Sequence, residues 1–542
     1  MIIFNLKKSA LILSIILMSA FFIIPSYTVS IVYQEYQSPL KTTNTVKEEI
    51  GFGAVFLDNK FPTLNITTTP FAPTHQNYQY FSSLNPRYLG ISRHIRRPGH
   101  AVMTHPHHDF EFSFSEPIEI RGRGNSTWNA MGEKRPYRFR FTQNLPILGR
   151  NRYMLDSSYN AREWALIASV LDPSFMRTYT AMHLARLLGT MDFVPSLWFV
   201  HLYLDGDYRG VYMLMDQPRA DSATRLLLDY TNQDPAQAEY LIEMCRHPKD
   251  TQEGVDWINL NGIPFELNIP DEFEGPNSKH VDYVRNYLER VDAATISGDR
   301  STFESLVDLD SFVDFYLINE FIKNRDVGFS SVYYTIRNTD DGRRMFAGPL
   351  WDFDQSGGAT TCTNARDAYL PINIFAAAPN IRGNTTGNIW MSRMMSHNWF
   401  REVITNRWHE ISNIEVKQSI NRIRQKAVVF EDEFNRNFER FPHHVSKATW
   451  RNGPLFDSSI NTFLSDGYTF MAQVDYFSWW LNVRSAWFSY YLGLSDDRSL
   501  FAHLMGLSTD TIIAISVSAG VLVITITTTT IIIVKKKQRQ GF

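Results

Sequence analysis

Two uncharged apolar runs frame the chain, and between them the hydrophobic spacing changes from mostly strand-like to mostly helical. The first run, Ala10–Ile24, follows Lys7 and Lys8 and gives way to small and polar residues around Ser26–Ser30, which predicts a signal peptide over residues 1–30. The second, Ile512–Val534, is long enough for a hydrocarbon core of about 30 Å and runs into Lys535, Lys536, Lys537 and Arg539. It predicts one C-terminal transmembrane helix with a cytosolic basic tail over 535–542. The expectation is a single-pass type I membrane protein of the secretory pathway or plasma membrane, with its main domain, residues 50–505, extracytoplasmic.

Within that domain, Thr63–Thr68 is β-prone, and Phe110–Phe114 and Tyr137–Phe141 alternate apolar with polar. Trp198–Leu204, Asp205-Gly206 and Tyr208–Met215 predict a hairpin, because Asp-Gly supplies the positive φ angles of a type I′ turn. Asp172-Pro173 is placed to open a helix that stops at Gly189. Farther on, helical spacing covers Leu309–Lys323, Trp399–Ile411, Val416–Phe438 and Met471–Tyr491. Trp479, Trp480 and Trp487 read as core. No repeat or linker divides the region, so it reads as one α+β unit.

Composition narrows the function more than the fold. The formal net charge of −3 gives no reason to expect nucleic-acid binding. Cys245 and Cys362 are the only cysteines, so a core rather than a disulfide scaffold must hold the chain, and one bridge between them stays open. Sequons at Asn65, Asn125 and Asn384 agree with an exported chain but carry little weight. The histidines of Gly99–His108 (His100, His105, His107, His108) read as a polar surface loop rather than a zinc site.

The chemistry concentrates in two stretches. Asn319–Asp326 is followed by a strand at Val332–Arg337, a turn at Asp340-Asp341-Gly342, a strand at Met345–Leu350, and Trp351-Asp352-Phe353-Asp354. A hairpin there returns the chain to its starting end and gathers Asp326, Asp352 and Asp354, whose like charges call for a cation such as Mg²⁺ or Mn²⁺. A base-position Asp, a hairpin and a metal-binding Asp follow one another in the order by which protein kinases set a hydroxyl against nucleotide-bound metal. The earlier run Ile120–Trp128, with Gly124, Asn125 and Ser126, followed by the basic segment Lys134–Phe141, offers close backbone approach and cations for phosphate. Together they describe a nucleotide site. A carboxylate pair hydrolysing glycans would leave the glycine and basic segment unexplained.

These motifs resemble the spore-coat CotH-type protein kinases. The resemblance rests on Arg121-Gly122-x-Gly124-Asn125-Ser126-Thr127-Trp128 with Lys134-Arg135-Pro136-Tyr137-Arg138, on Leu202–Tyr212, and on Asn319-Glu320 through Asn324-x-Asp326 to Gly348–Asp354, covering roughly Pro62 to Glu410. It implies a divergent protein-kinase-like fold, strand-rich then helical, that moves the γ-phosphate of ATP to Ser/Thr of secreted or surface proteins with Mg²⁺ or Mn²⁺. By the same resemblance Asp326 is the base-position residue and Asp352 and Asp354 the metal-binding pair. Arg121, Lys134, Arg138 and Arg140 are phosphate contacts, and Glu243 orients one of them. Ser331 stands where the family has a metal-binding Asn, and Arg stands at most positions where a family Lys meets phosphate. Related fungal surface proteins are invasins, so an adhesin that binds a host or cell-surface receptor on an inactive scaffold is the alternative.

Overall fold

The computed structural model describes residues 60–495, apart from 107–113, 125, 130–131, 146–160, 192, 219–225, 227, 246–255, 269–278, 360–370, 379–387 and 443–468. The chain divides into two compact units. The larger is Val46–Gly453 with Gly467–Leu481, and the architecture below belongs to it. The described part of the other, residues 482–495, ends the last helix, where Trp487 stacks on Tyr491 with ring centroids 5.2 Å apart.

Seven strands close into a barrel in the order β1-β2-β3-β4-β5-β7-β6. They are β1 (Thr63–Thr68), β2 (Arg97–Thr104), β3 (Phe114–Gly122), β4 (Tyr137–Leu145), β5 (Ala161–Ile167), β6 (Leu197–Leu204) and β7 (Asp207–Asp216). Period-two alternation decides which side chains fill it. Leu64 and Ile66 of β1, Ile118 and Ile120 of β3, Phe139 and Phe141 of β4 and Trp164 and Leu166 of β5 share one face and are all buried. Gly122 is required on that face because a Cβ there would meet the Trp128 ring at 2.3 Å.

The predicted hairpin forms as β6 and β7, with Asp205 and Gly206 at φ 50° and 83°. Asp205 also accepts from Thr68 N (2.6 Å) and Thr68 Oγ1 (2.7 Å), so the turn residue ties the hairpin to β1. Parallel pairing of β1 with β6 then closes the sheet.

A second sheet follows the order β12-β11-β8-β10-β9. Its strands are β8 (Tyr240–Met244), β9 (Asp256–Leu260), β10 (Ile263–Leu267), β11 (Val332–Thr339) and β12 (Gly342–Ala347). Besides short turns of helix at Tyr78–Ser82, Pro86–Tyr88, Ser126–Asn129 and Ser412–Val416, the helices described are α1 (Arg177–Leu188), α2 (Lys279–Ser297), α3 (Arg300–Leu306), α4 (Leu309–Phe321), α5 (Ile389–Met394), α6 (Asn398–Ile411), α7 (Lys417–Val429), α8 (Glu431–Arg440) and α9 (Phe470–Tyr491). α4 is buried almost all round, which places its C-terminal end, and the turn after it, deep in the unit. In α9, Trp479 and Trp480 are buried as core residues.

Four expectations are corrected. The divergent kinase-like fold is replaced by a closed barrel beside a separate five-stranded sheet, because β1 joins sheet edges that motif order along the chain leaves unspecified. Among the described residues no helix is long and apolar enough to cross a membrane. The run Ile512–Val534 and the leader at 1–30 lie outside the described residues, and no described helix supports the single-pass, extracytoplasmic arrangement. The helix expected over Val416–Phe438 breaks at Phe430, whose ring stacks on Phe61 (4.7 Å) and meets Trp198 edge-on (5.8 Å). Finally, most of the histidine segment is strand β2 rather than a loop. His100 there meets Ser115 Oγ (2.9 Å), His105 meets Lys60 O (3.1 Å), and His107 and His108 lie outside the described residues.

Candidate functional site

The turn after α4 is built by the side chains of Asn319 and Asn324. Asn319 Nδ2 donates to Phe315 O (2.8 Å), and Asn324 Nδ2 donates to Asn319 Oδ1 (3.0 Å). Asn324 Oδ1 then accepts from the Asp326 backbone N–H (3.1 Å), and Asp326 O accepts from Phe329 N (2.7 Å) and Ser330 N (3.1 Å). Lys323 leaves the helix at φ 51°, a left-handed conformation that a non-glycine residue holds only under tertiary constraint. The constraint is visible: Lys323 Nζ donates to Ile372 O, and the buried Glu320 carboxylate accepts from Phe375 N and Ala376 N, each at 2.7 Å. Asp326 is thus presented, mostly buried, by a turn whose backbone is fixed on both sides.

The β11–β12 hairpin returns the chain as the sequence implies, through Thr339↔Gly342 pairing. It sets Ser331, just before β11, against Asp352, just after β12: Ser331 Oγ donates to Asp352 Oδ2 at 3.2 Å. Both residues hold positive φ, 61° and 53°, so two strained non-glycine positions face each other. Glu243 of β8 accepts from Ser331 N (3.1 Å) and Asn268 Nδ2 (3.4 Å), and so anchors this corner to the second sheet. Arg123, at the end of β3, reaches in from the barrel with Nη2 4.0 Å from Asp352 Oδ1 and its guanidinium 5.3 Å from the Trp351 ring centroid.

Burial raises the proton affinity of Asp352; Arg123 and the Ser331 hydroxyl oppose this, Glu243 adds to it, and solvent on a third of the side chain moderates it. Asp354 is pushed well above the ordinary carboxylate range by burial first, then by the charges of Asp352, Asp326 and Asp172, with Arg123 opposing. The three carboxylates named from the sequence therefore interact. Among the described residues no group of three or more His, Cys, Asp or Glu is preassembled to hold a metal. The oxygen donors of Asp352 and Asp354 nevertheless suit Mg²⁺ or Mn²⁺, since magnesium takes one or two carboxylates and completes its shell with water and phosphate.

The basic residues are placed less uniformly. Arg121 and Arg138 lie directly opposite each other on β3 and β4, and Arg123 follows one residue beyond the end of β3. Arg140 is one alternation farther along and pairs with Glu119 Oε2 at 2.5 Å. Lys134 is wholly buried: its Nζ donates to Val211 O (2.7 Å) and lies 4.9 Å from the Phe175 ring and 5.0 Å from that of Tyr212. Burial, with Arg209 nearby, holds its amine well below the usual lysine range. Gly124 has φ 81°, and a Cβ there would meet Thr127 Oγ1 at 2.3 Å. Asn125 and the Ser126 side chain lie outside the described residues, as do Asn384 and Cys362, the prospective partner of Cys245. The cation that meets Asp352 is Arg123, which the motif contained but the candidate contacts omitted. Its signal was position: two residues after Arg121, just past the strand's end.

A family model described as CotH kinase protein matches residues 120–486, from the end of β3 into α9. No curated protein matches the chain significantly. The family match encloses both the Arg121–Arg140 segment and the Asp326–Asp354 hairpin and spans more than half of the sequence, and on that ground the chain belongs to the CotH kinase protein family.

Proposed function

We propose that the protein is a phosphotransferase that moves the γ-phosphate of ATP to a Ser or Thr hydroxyl of a protein acceptor. The observation that carries the reading is the gathering of Asp326, Asp352 and Asp354, where burial first and then the like charges of its neighbours push Asp354 above the ordinary carboxylate range, a state a cation would relieve. Asp326 serves as the base: its carboxylate accepts the hydroxyl proton as the oxygen attacks phosphorus and the bond to the leaving ADP breaks. Asp352 and Asp354 would hold Mg²⁺ or Mn²⁺, with the Ser331 hydroxyl fixing the Asp352 rotamer. When bound, that cation neutralises charge on the phosphates. Arg123 turns from Asp352 to a phosphate oxygen, and Arg121 and Arg138 extend the cationic face behind it. Glu243 holds Ser331 in its strained conformation.

The test is transfer of labelled phosphate from ATP, with Mg²⁺ or Mn²⁺, to the protein itself and to a Ser-rich acceptor, comparing wild type with Asp326→Ala and Asp352→Ala. Wild-type transfer abolished by both substitutions supports the reading. A wild type that neither transfers phosphate nor binds nucleotide overturns it and leaves a binding scaffold.

A further inference from the structure

Arg177, in the first turn of α1, is fully buried, an unusual location for a side chain that stays charged at any physiological pH. Its guanidinium pairs with buried Asp172 (Nη1 to Oδ1, 2.5 Å). The other donors leave α1 altogether: Nε donates to Ser356 O at 2.8 Å and Nη2 to Gly357 O at 3.2 Å. These are the second and third residues after Asp354. The guanidinium also lies 4.8 Å from the Phe477 ring of α9.

The same short loop is held from two more sides. Gly357 N donates to Ile322 O (2.6 Å), at the end of α4 and four residues before Asp326. Tyr476 OH donates to Gly358 O at 3.3 Å. There is no slack in this packing: a Cβ on Gly357 would meet Phe477 at 2.3 Å, and one on Gly358 would meet the Tyr476 hydroxyl at 2.6 Å. A buried ion pair is commonly no more stabilising than apolar residues of the same shape, so stability alone is a weak reason for this one. What an apolar replacement could not do is grip two consecutive carbonyls of the loop that carries Asp354 while neutralising Asp172 beside it.

We infer that Arg177 is a positioning residue: it locks the 355–358 loop against the end of α4, sets Asp354 relative to Asp326, and thereby sets the affinity of the site for a divalent cation. The inference rests on the phosphotransferase reading. It adds that α1 and α9, which carry no residue of the proposed chemistry, determine cation binding through the loop's carbonyls.

The experiment is direct titration of the full chain with Mn²⁺, without nucleotide and well below the melting temperature, read by the spectroscopic signal of free Mn²⁺. Arg177→Met, which keeps bulk but removes every donor, is expected to weaken binding by about tenfold or more, as loss of charge-assisted hydrogen bonds to a positioned loop implies. Arg177→Lys, with charge but no planar fork, should fall between. Tyr476→Phe removes one bond to the same loop and should cost about threefold. Arg285→Ala, on an exposed helical ion pair, should match wild type. A folded Arg177→Met that binds Mn²⁺ like wild type overturns the inference while leaving the phosphotransferase reading intact. Should Arg177→Met fail to fold, Tyr476→Phe decides: weakened binding supports the clamp, unchanged binding overturns it. A wild type that takes no Mn²⁺ overturns the underlying reading and the clamp with it.

Discussion

The barrel and the carboxylate corner beside it use charge in opposite ways. In the barrel region, cations are consumed by structure: Lys134 by Val211 O and two aromatic rings, Arg140 by Glu119, and Arg209 by Asp207 at 2.7 Å. At the corner, Asp352 and Asp354 both feel Arg123, whose Nη2 stands 4.0 Å from Asp352 Oδ1, and Ser331 and Asp352 hold strained positive φ. In the barrel each of these cations has a near partner that fixes it in place; at the corner buried carboxylates lie beside strained backbone, the combination in which functional sites are commonly found.

The largest effect expected from breaking this contrast is in the barrel interior. Trp164→Ala should lower the free energy of unfolding by about 3–5 kcal/mol, measured by urea denaturation, because a fully buried indole leaves a cavity that closed walls cannot fill.

Next is the polar latch between barrel and α8. Burial would by itself raise the Glu433 carboxyl, but hydrogen bonds from His201, Phe61 N and Lys60 hold it down to about 2. His201 is lowered, chiefly by burial, so the folded state disfavours its protonation. Both shifts have the same sign: their stabilisation is full above the unfolded pKa values, about 6.5 for His and 4.3 for Glu, and is lost as pH falls. Glu433→Gln should therefore cost about 1–3 kcal/mol at pH 7, and the gap from wild type should narrow on acidification toward pH 3.

The two kinds of cation separate in nucleotide titrations. Arg123→Met should weaken ATP binding by about tenfold. Lys134→Met should leave it unchanged and shift stability by about 1 kcal/mol, because an amine whose charged form burial disfavours is exchanged for an apolar side chain at the loss of one hydrogen bond. Equal losses in both would place Lys134 at the phosphates instead.

The smallest effect has the opposite sign from the first two. Asp354→Asn should abolish phosphate transfer yet raise metal-free stability at pH 7 by at most about 1 kcal/mol, since part of the side chain reaches water. A carboxylate whose folded pKa is raised destabilises the fold while ionised, so this gain should shrink as pH falls and the wild-type group takes up its proton. Thermal melts in chelator across that pH range check it.

Much of the site was legible because its parts are local. The Asp205-Gly206 turn, the β11–β12 hairpin and the stop of α1 at Gly189 follow from backbone preferences that a few adjacent residues set. Period-two alternation showed which residues of β4 face inward, and the midpoint turn placed the β11–β12 hairpin between Asp326 and Asp352. Less visible were Arg123 as the cation beside Asp352 and Arg177 as the grip on the loop after Asp354. Each depends on a neighbour supplied by a distant segment.

The sequence by itself therefore determined the Asp205-Gly206 hairpin, the β11–β12 hairpin, the end of α1 and the order of the motifs, since these depend on spacing and on φ preferences of single residues. Tertiary structure alone decided that β1 closes the sheet into a barrel, that Lys134 is buried as a structural cation, that Phe430 breaks a helix, and that Glu243 and Ser331 meet at one corner. Those outcomes turn on which distant surfaces exclude water together, and burial and electrostatic pairing are properties of the assembled interior rather than of any stretch of chain.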